Sequence, residues 1–176
     1  MRGQYNKPLP VVVVGDQALL QLGNGGWALI SASDAEFVGR WCWTSKPHDG
    51  GRLYVVRIRL EADGDGPRHI YLHRALMKPE GKLVVDHISG DGLDCRRENM
   101  RVCTVGQNLA NARLNRNGTK TGLKGVSLSR SGKRYRATIT VRGVVHRLGS
   151  YPTPELAHAA YVAAAVLHHG EFARAA

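Results

Sequence analysis

Apolar and polar positions alternate in short bursts over the first 70 residues, a rhythm of strands and turns rather than of long helices. Val11–Val14 and Trp27–Ser31 are strand-sized apolar runs. Ser33-Asp34-Ala35-Glu36 has the spacing of a capping box and predicts a short helix ending near Gly39. Trp41, Cys42 and Trp43 resume an extended segment, and residues 47–51 form a turn. Residues 53–60 alternate, placing Arg57 and Arg59 on the wet face of a half-exposed strand. The three tryptophans Trp27, Trp41 and Trp43 read as packing residues rather than base-stacking ones. Residues 63–67 (DGDGP) are a turn; they imitate a calcium loop, but the later ligand positions and the closing glutamate are missing.

The texture changes at Ile70. A strand over 70–72 leads into about one helical turn over 73–77, and Leu83-Val84-Val85 is a buried strand running into Asp86-His87. The loop 88–98 is polar, residues 100–103 are extended, and Thr104-x-x-Gln107 is a second capping box that predicts a helix to about Leu114. Residues 115–121 are a polar linker. Beyond it the pattern predicts strands over 125–129, 135–141 and 144–150, with Arg142-Gly143 a two-residue turn. In the middle strand Tyr135, Ala137, Ile139 and Val141 fall on one face, and Arg136, Thr138 and Thr140 on the other. Thr153 caps a final helix with Pro154 at its first position. Leu156, Ala159, Ala160, Ala163, Val166 and Leu167 are the stripe expected to pack on the sheet.

Charge changes this picture. The chain of 176 residues carries a formal +11. Residues 1–70 hold eight Lys/Arg against seven Asp/Glu, and residues 71–112 six against five; residues 113–176 hold eleven against two. A basic tail would lack the strand and core patterning seen there, so the C-terminal segment reads as a folded nucleic-acid-binding module. No apolar run approaches the ~20 residues of a membrane span. Pro8, Pro10 and Asp16 break the signal-peptide pattern at the start. Three cysteines (Cys42, Cys95, Cys103) without a C-x-x-C pair read as free thiols in a reducing, cytoplasmic setting, and argue against a structural zinc.

A hairpin followed by a helix, with Asp-His on the first strand and Asn on the helix, suits a metal site. Asp86 and Asn108 offer hard oxygen ligands for Mg²⁺ or Mn²⁺. His87, on the opposite side of the strand, supplies an imidazole that can take a proton from water attacking a phosphodiester.

These residues, with Tyr71-Leu72-His73-Arg74, the run 85–94 (VDHISGDGLD), residues 97–101 (RENMR) and Gln107-Asn108, resemble the HNH endonucleases of the phage and intron-encoded homing type. The resemblance implies a ββα-metal fold in which Asp86 is a metal ligand and His87 the general base. It further implies that Asn99 braces the long loop and so aims His87, and that Asn108 is the second protein ligand. Many members have His at that last place, so this chain is an HNN variant. His73 and Arg74 are candidates for contacting phosphate. The resemblance extends upstream through residues 27–30 (WALI) and 41–59.

The C-terminal segment resembles the AP-two/ERF (Apetala-type) DNA-binding domain through residues 122–127 (GLKGVS), 132–137 (GKRYRA), 146–151 (HRLGSY), 153–155 (TPE) and 159–161 (AAY). That family lays a three-stranded sheet in the DNA major groove. The resemblance therefore implies a reading face of Lys124, Ser127, Ser129, Arg136, Thr138 and Arg147, with Arg130, Lys133 and Arg134 at the adjacent turn. Several arginines and the tryptophans of the plant proteins are absent, so no plant recognition site carries over.

The expected architecture is α+β: an N-terminal β-rich region (1–70), the nuclease core (71–114), the linker (115–121), and a three-stranded antiparallel sheet packed on one helix (122–176). The expected function is a Mg²⁺- or Mn²⁺-dependent endonuclease acting on double-stranded DNA as a monomer, in the cytoplasm of a bacterial or phage-infected cell, with no membrane partner. The alternatives are a non-catalytic DNA-binding or regulatory protein that keeps the scaffold, and an RNA-binding protein, which the lack of an RNP-like aromatic motif disfavours.

Overall fold

The structure, a computed structural model, describes residues 7–48, 51–114 and 120–174. The chain divides into two compact units, Met1–Cys103 and Thr104–Ala176.

In the first unit, β1 (Val11–Val14), β2 (Gln17–Gln21) and β3 (Trp27–Ser31) form an antiparallel meander. Its inward positions are Ala18, Leu20, Ala28 and Ile30, as the period of two requires. After a 3₁₀ turn, α1 (Ala35–Val38) leads to a second antiparallel sheet of β4 (Thr44–Pro47), β5 (Leu53–Ile58) and β6 (His69–Tyr71). Then come α2 (Leu72–Met77) and the hairpin strand β7 (Val84–His87). The short strand β8 (Asp94–Cys95) pairs in parallel with β3, and β9 (Met100–Cys103) returns antiparallel to β7. Leu20, Ile30, Val38, Trp43, Val55 and Leu72 are fully buried in one shared core. The Trp43 indole N–H is satisfied there, donating to the Val38 carbonyl at 2.9 Å.

Three expectations are corrected in this unit. The Ser33 capping box does not form, because Ser33 lies inside the 3₁₀ turn Ala32–Asp34 and α1 starts only at Ala35; Asp34, at its N-cap, is buried and binds Arg97, with nitrogen and oxygen 2.6 Å apart. Trp27 is not a packing residue: 48% of its surface is exposed. Arg57 is not on a wet face but only 7% exposed. Its guanidinium lies 4.6 Å from the Trp41 ring centroid and makes a two-pronged pair with Asp63, both contacts 2.6 Å. Asp63 is thereby held well below the usual carboxylate range, chiefly by that bond.

In the second unit, α3 (Val105–Asn111) opens with the expected capping box: Thr104 Oγ1 accepts from the Gln107 N–H, and the Gln107 side chain from the Thr104 N–H. It ends at Asn111 rather than near Leu114, because Ala112 is already extended. Within the expected nuclease core, 71–114, the division between the two compact units falls at Cys103/Thr104, and α3 packs against the last helix and the turn that follows it. Most of the expected linker, residues 115–119, lies outside the described residues.

The strands β10 (Val126–Leu128), β11 (Tyr135–Val141) and β12 (Val144–Tyr151) form an antiparallel sheet in sequence order, and α4 (Pro154–His169) packs on it. Arg142 and Gly143 both take positive φ, 50° and 81°, as a mirror-image two-residue hairpin turn needs. Thr153 caps α4 by accepting from the Leu156 N–H. The α4 face turned to the sheet is Ala157, Tyr161 and Ala165, and of the stripe expected from Leu156 onward Ala160 packs beside them while Leu156, Ala159, Ala163, Val166 and Leu167 are exposed. Leu167 is 79% exposed. The small residues allow close approach, and Tyr161 fills the remaining space over Gly125, where a Cβ would come within 2.0 Å of its ring. Among the described residues, no helix is long and apolar enough to cross a membrane.

Candidate nuclease site and basic sheet

The β7–β9 register decides what surrounds the Asp-His pair. It sets Asp86 opposite Arg101 and His87 opposite Met100. Asp86 is buried, and its Oδ2 accepts from Arg101 Nε at 2.9 Å. Arg101 is thus a site residue to which the sequence reading gave no role. The register of the hairpin is the signal that finds it, since opposite charges directly across a strand pair attract.

His87 is buried on the other side of the strand. Its ring stands 5.7 Å from Tyr54 and 5.1 Å, edge to face, from His73, and Cys95 Sγ is 3.8 Å from its Nε2. Burial lowers the His87 pKa below its ordinary 6.5, against the raising pull of Asp86, Asp91 and Asp94. The imidazole is therefore neutral at neutral pH. Burial also pushes the Cys95 thiol up to about 12, so it stays protonated and is no nucleophile. The loop after His87 is pressed against β5: a Cβ on Gly92 would come within 2.3 Å of the Leu53 carbonyl oxygen.

Asn99 joins the two ends of that loop. Its Oδ1 accepts from the Ser89 N–H at 2.9 Å, and its Nδ2 donates to the Asp94 carbonyl at 2.8 Å. Its own carbonyl accepts from the Ile88 N–H at 2.8 Å. The loop is further tied to the N-terminal sheet by the β3–β8 pair, by Arg97 N–H to Ser31 Oγ at 2.9 Å, and by the Arg97–Asp34 pair. The N-terminal strands are part of the site's support.

Asp86, His87 and Asn99 are thus gathered on one hairpin and its loop. Asn108 belongs to the second unit, half-buried in the last turn of α3. His73 is corrected as a phosphate contact: it is 9% exposed, enclosed by Tyr54, Tyr71 and His87, and burial pushes its pKa down to about 3. Arg74 is exposed on α2.

In the second unit, the sheet's outer face carries Arg136 between Ser127 and Ser150, and Thr138 opposite Arg147. A bulge beside Ala137 and Thr138 makes that last pairing possible, sending Leu148 into the core and Arg147 outward. Arg130, Lys133, Arg134, Arg136 and Arg147 are exposed. Arg134 donates to the Ser150 hydroxyl at 3.2 Å. Ser129 sits in the β10–β11 turn, bonded to Arg134, rather than on a strand. Lys124 is also off the reading face, because its ammonium donates to the carbonyls of Ala110 and Ala112 at 2.6 and 2.8 Å.

Residues 78–110 match the family model described as HNH endonuclease. An uncharacterised HNH endonuclease of Acanthamoeba polyphaga mimivirus is 29% identical, over 88% of this chain and 77% of its own length. Protein 3.8 of Escherichia phage T7 is 33% identical, over 61% of this chain and 88% of its own length. No solved structure gives a significant match. With its Asp-His strand and braced loop lying inside the matched segment, and with a viral relative aligned along nearly its whole length, this chain belongs to the HNH endonuclease family.

Proposed function

We propose that the chain is a divalent-metal-dependent DNA endonuclease of the homing type, acting on double-stranded DNA as a monomer and targeted by an Apetala-type module in its C-terminal unit. The observation that supports this best is His87: a neutral, buried imidazole at a strand end beside Asp86, within a loop that Asn99 holds at both ends. Such a base takes the proton of a water attacking the scissile phosphorus, and the packing of Tyr54 and His73 against it fixes the ring.

Asp86 and Asn108 are the residues that would hold the ion. A carboxylate with a carboxamide would be an all-oxygen donor set that suits Mg²⁺ or Mn²⁺. When bound, the ion neutralises charge on the phosphate and on the departing oxygen. Arg101 orients the Asp86 carboxylate, its Nε donating to Oδ2. The products would be 5′-phosphate and 3′-hydroxyl ends, with one active site per chain giving nicks unless two chains act together.

The exposed Arg136 and Arg147 would read base edges, while Arg130, Lys133 and Arg134 would contact phosphates. A second reading, a non-catalytic DNA-binding protein on the same scaffold, draws on the Asp86–Arg101 pair, which already satisfies the carboxylate. A supercoiled-plasmid assay separates the two. Nicking that requires Mg²⁺ or Mn²⁺ and stops in EDTA is expected, and binding without nicking in either metal would favour the scaffold.

A further inference from the structure

Lys124 is embedded in the C-terminal unit by its backbone. Its carbonyl lies 3.0 Å from His158 Nδ1 on α4, and Gly125 beside it, at φ +75°, presses against the Tyr161 ring. Its side chain runs the other way, to α3, where the ammonium donates to the carbonyls of Ala110 and Ala112. These are carbonyls at the helix end, which lack partners within the helix, and a cation there also complements the helix dipole.

The grip adds to the packing of α3 on α4 and the turn after it, where Ala110 and Asn111 are buried. Seven residues are too few for a helix to persist alone in water. Val105 and Leu109, its larger apolar side chains, are 52% and 64% exposed, so they contribute little to holding it. Asn108 lies in the turn whose carbonyls Lys124 holds, two residues before Ala110.

We propose that Lys124 is a positioning residue for the metal-ligating turn: by clamping the C-terminal carbonyls of α3 it fixes the orientation of Asn108. This rests on the reading of Asn108 as a metal ligand. A basic residue that looks like one more DNA contact in the sequence is thereby given to the nuclease chemistry instead.

The test compares the full chain with its Lys124→Met, Lys124→Arg and Asn108→Ala variants, reading plasmid nicking against Mn²⁺ concentration, hydrogen exchange of α3 amides, and the salt dependence of DNA binding. Lys124→Met should raise the Mn²⁺ needed for half-maximal nicking about tenfold, the scale on which residues supporting a ligand act. It should speed exchange over 105–112 while β11 and β12 stay protected, and leave the salt slope of DNA binding unchanged. Lys124→Arg should recover most of the loss, and Lys124→Met added to Asn108→Ala should not raise the metal requirement further. A wild-type metal requirement in Lys124→Met overturns the proposal; a salt slope flattened by about one unit would reassign Lys124 to phosphate. If Lys124→Met unfolds the unit, seen as lost protection in β11 and β12, Lys124→Gln decides on the same readouts. If the unaltered chain nicks no DNA in any metal, the nuclease reading itself falls, and the role given to Lys124 falls with it.

Discussion

In the first unit the buried set includes Asp34, Arg57, His73, Asp86, His87, Asp94 and Asn99, whereas the second unit buries mainly Val, Ile, Ala, Tyr and Phe, with Asn111 its buried polar residue among those described. The cations of the second unit stand outside: Arg130, Lys133, Arg134, Arg136 and Arg147 are all exposed. A buried ionisable group is costly unless paired, so a cluster of them marks a place where geometry matters more than stability. Exposed cations are cheap to keep, act over a distance set by salt, and attract a polyanion without fixing it at one atom. The first unit thus gathers buried ionisable groups, and the second spreads its cations over its surface.

The sharpest way to break that contrast is at its centre. His87→Ala should lower nicking by about 10²–10⁴-fold, the loss expected for a general base, while DNA affinity stays close to wild type. A parallel plasmid assay and filter-binding titration would check both halves. Undiminished nicking would remove His87 from the mechanism.

Gly125→Ala strikes the other unit. The new methyl meets the Tyr161 ring at 2.0 Å on a backbone with φ +75°. Overpacking costs about 1–3 kcal/mol, and the strained φ adds to it. Hydrogen exchange should show lost protection across β11, β12 and α4, with β2, β3 and β5 as protected as before. Equal loss in both sets of strands would mean that the units do not fold separately.

On the sheet surface, Arg136→Ala or Arg147→Ala should cost about 1–3 kcal/mol on a preferred sequence and relax that preference. Lys133→Ala should weaken binding to every sequence alike and flatten the log–log salt slope by about 0.9. Competition titrations at several salt concentrations distinguish them, and identical behaviour of all three variants would dissolve the division between reading and anchoring.

The smallest effect concerns His73. Its folded pKa of about 3 lies below the ordinary 6.5, because burial disfavours the charged ring. An unfolded chain therefore takes up a proton at this site that the folded chain refuses. The resulting stability is complete above pH 6.5 and declines as pH falls toward 3. Urea melts of wild type and His73→Gln between pH 7 and 5 should converge as the pH drops. Parallel curves would show that His73 titrates normally.

Much of this was legible in the residues themselves. β11 matches the alternation of Tyr135 to Val141 residue for residue, and the Thr104 and Thr153 caps form as their spacing predicts. Local rules failed where a distant partner outbid them. Asp34, at the start of α1, pairs with Arg97, 63 residues away, and Arg57 left the solvent for Asp63 and Trp41. The α4 stripe failed for a different reason. Apolar residues lie around much of that helix, so the pattern alone did not say which arc faces the sheet, and the small side chains went inward. At the site, Asp86, His87 and Asn99 stood out as a motif, but Arg101 required the strand register, and the work of Lys124 required a carbonyl fourteen residues away.

The parallel pairing of β3 with β8 also bears on the order in which the protein assembles. Leu29 meets Asp94, and Ile30 meets Cys95, across more than sixty residues of chain. Closing so large a loop costs entropy before any contact rewards it, and such long-range pairings form late in folding. As the chain emerges from the ribosome, β1, β2 and β3 come first and can wait as a finished edge. The segment that carries β8 is made after β3, so the strand edge it pairs with precedes it in synthesis.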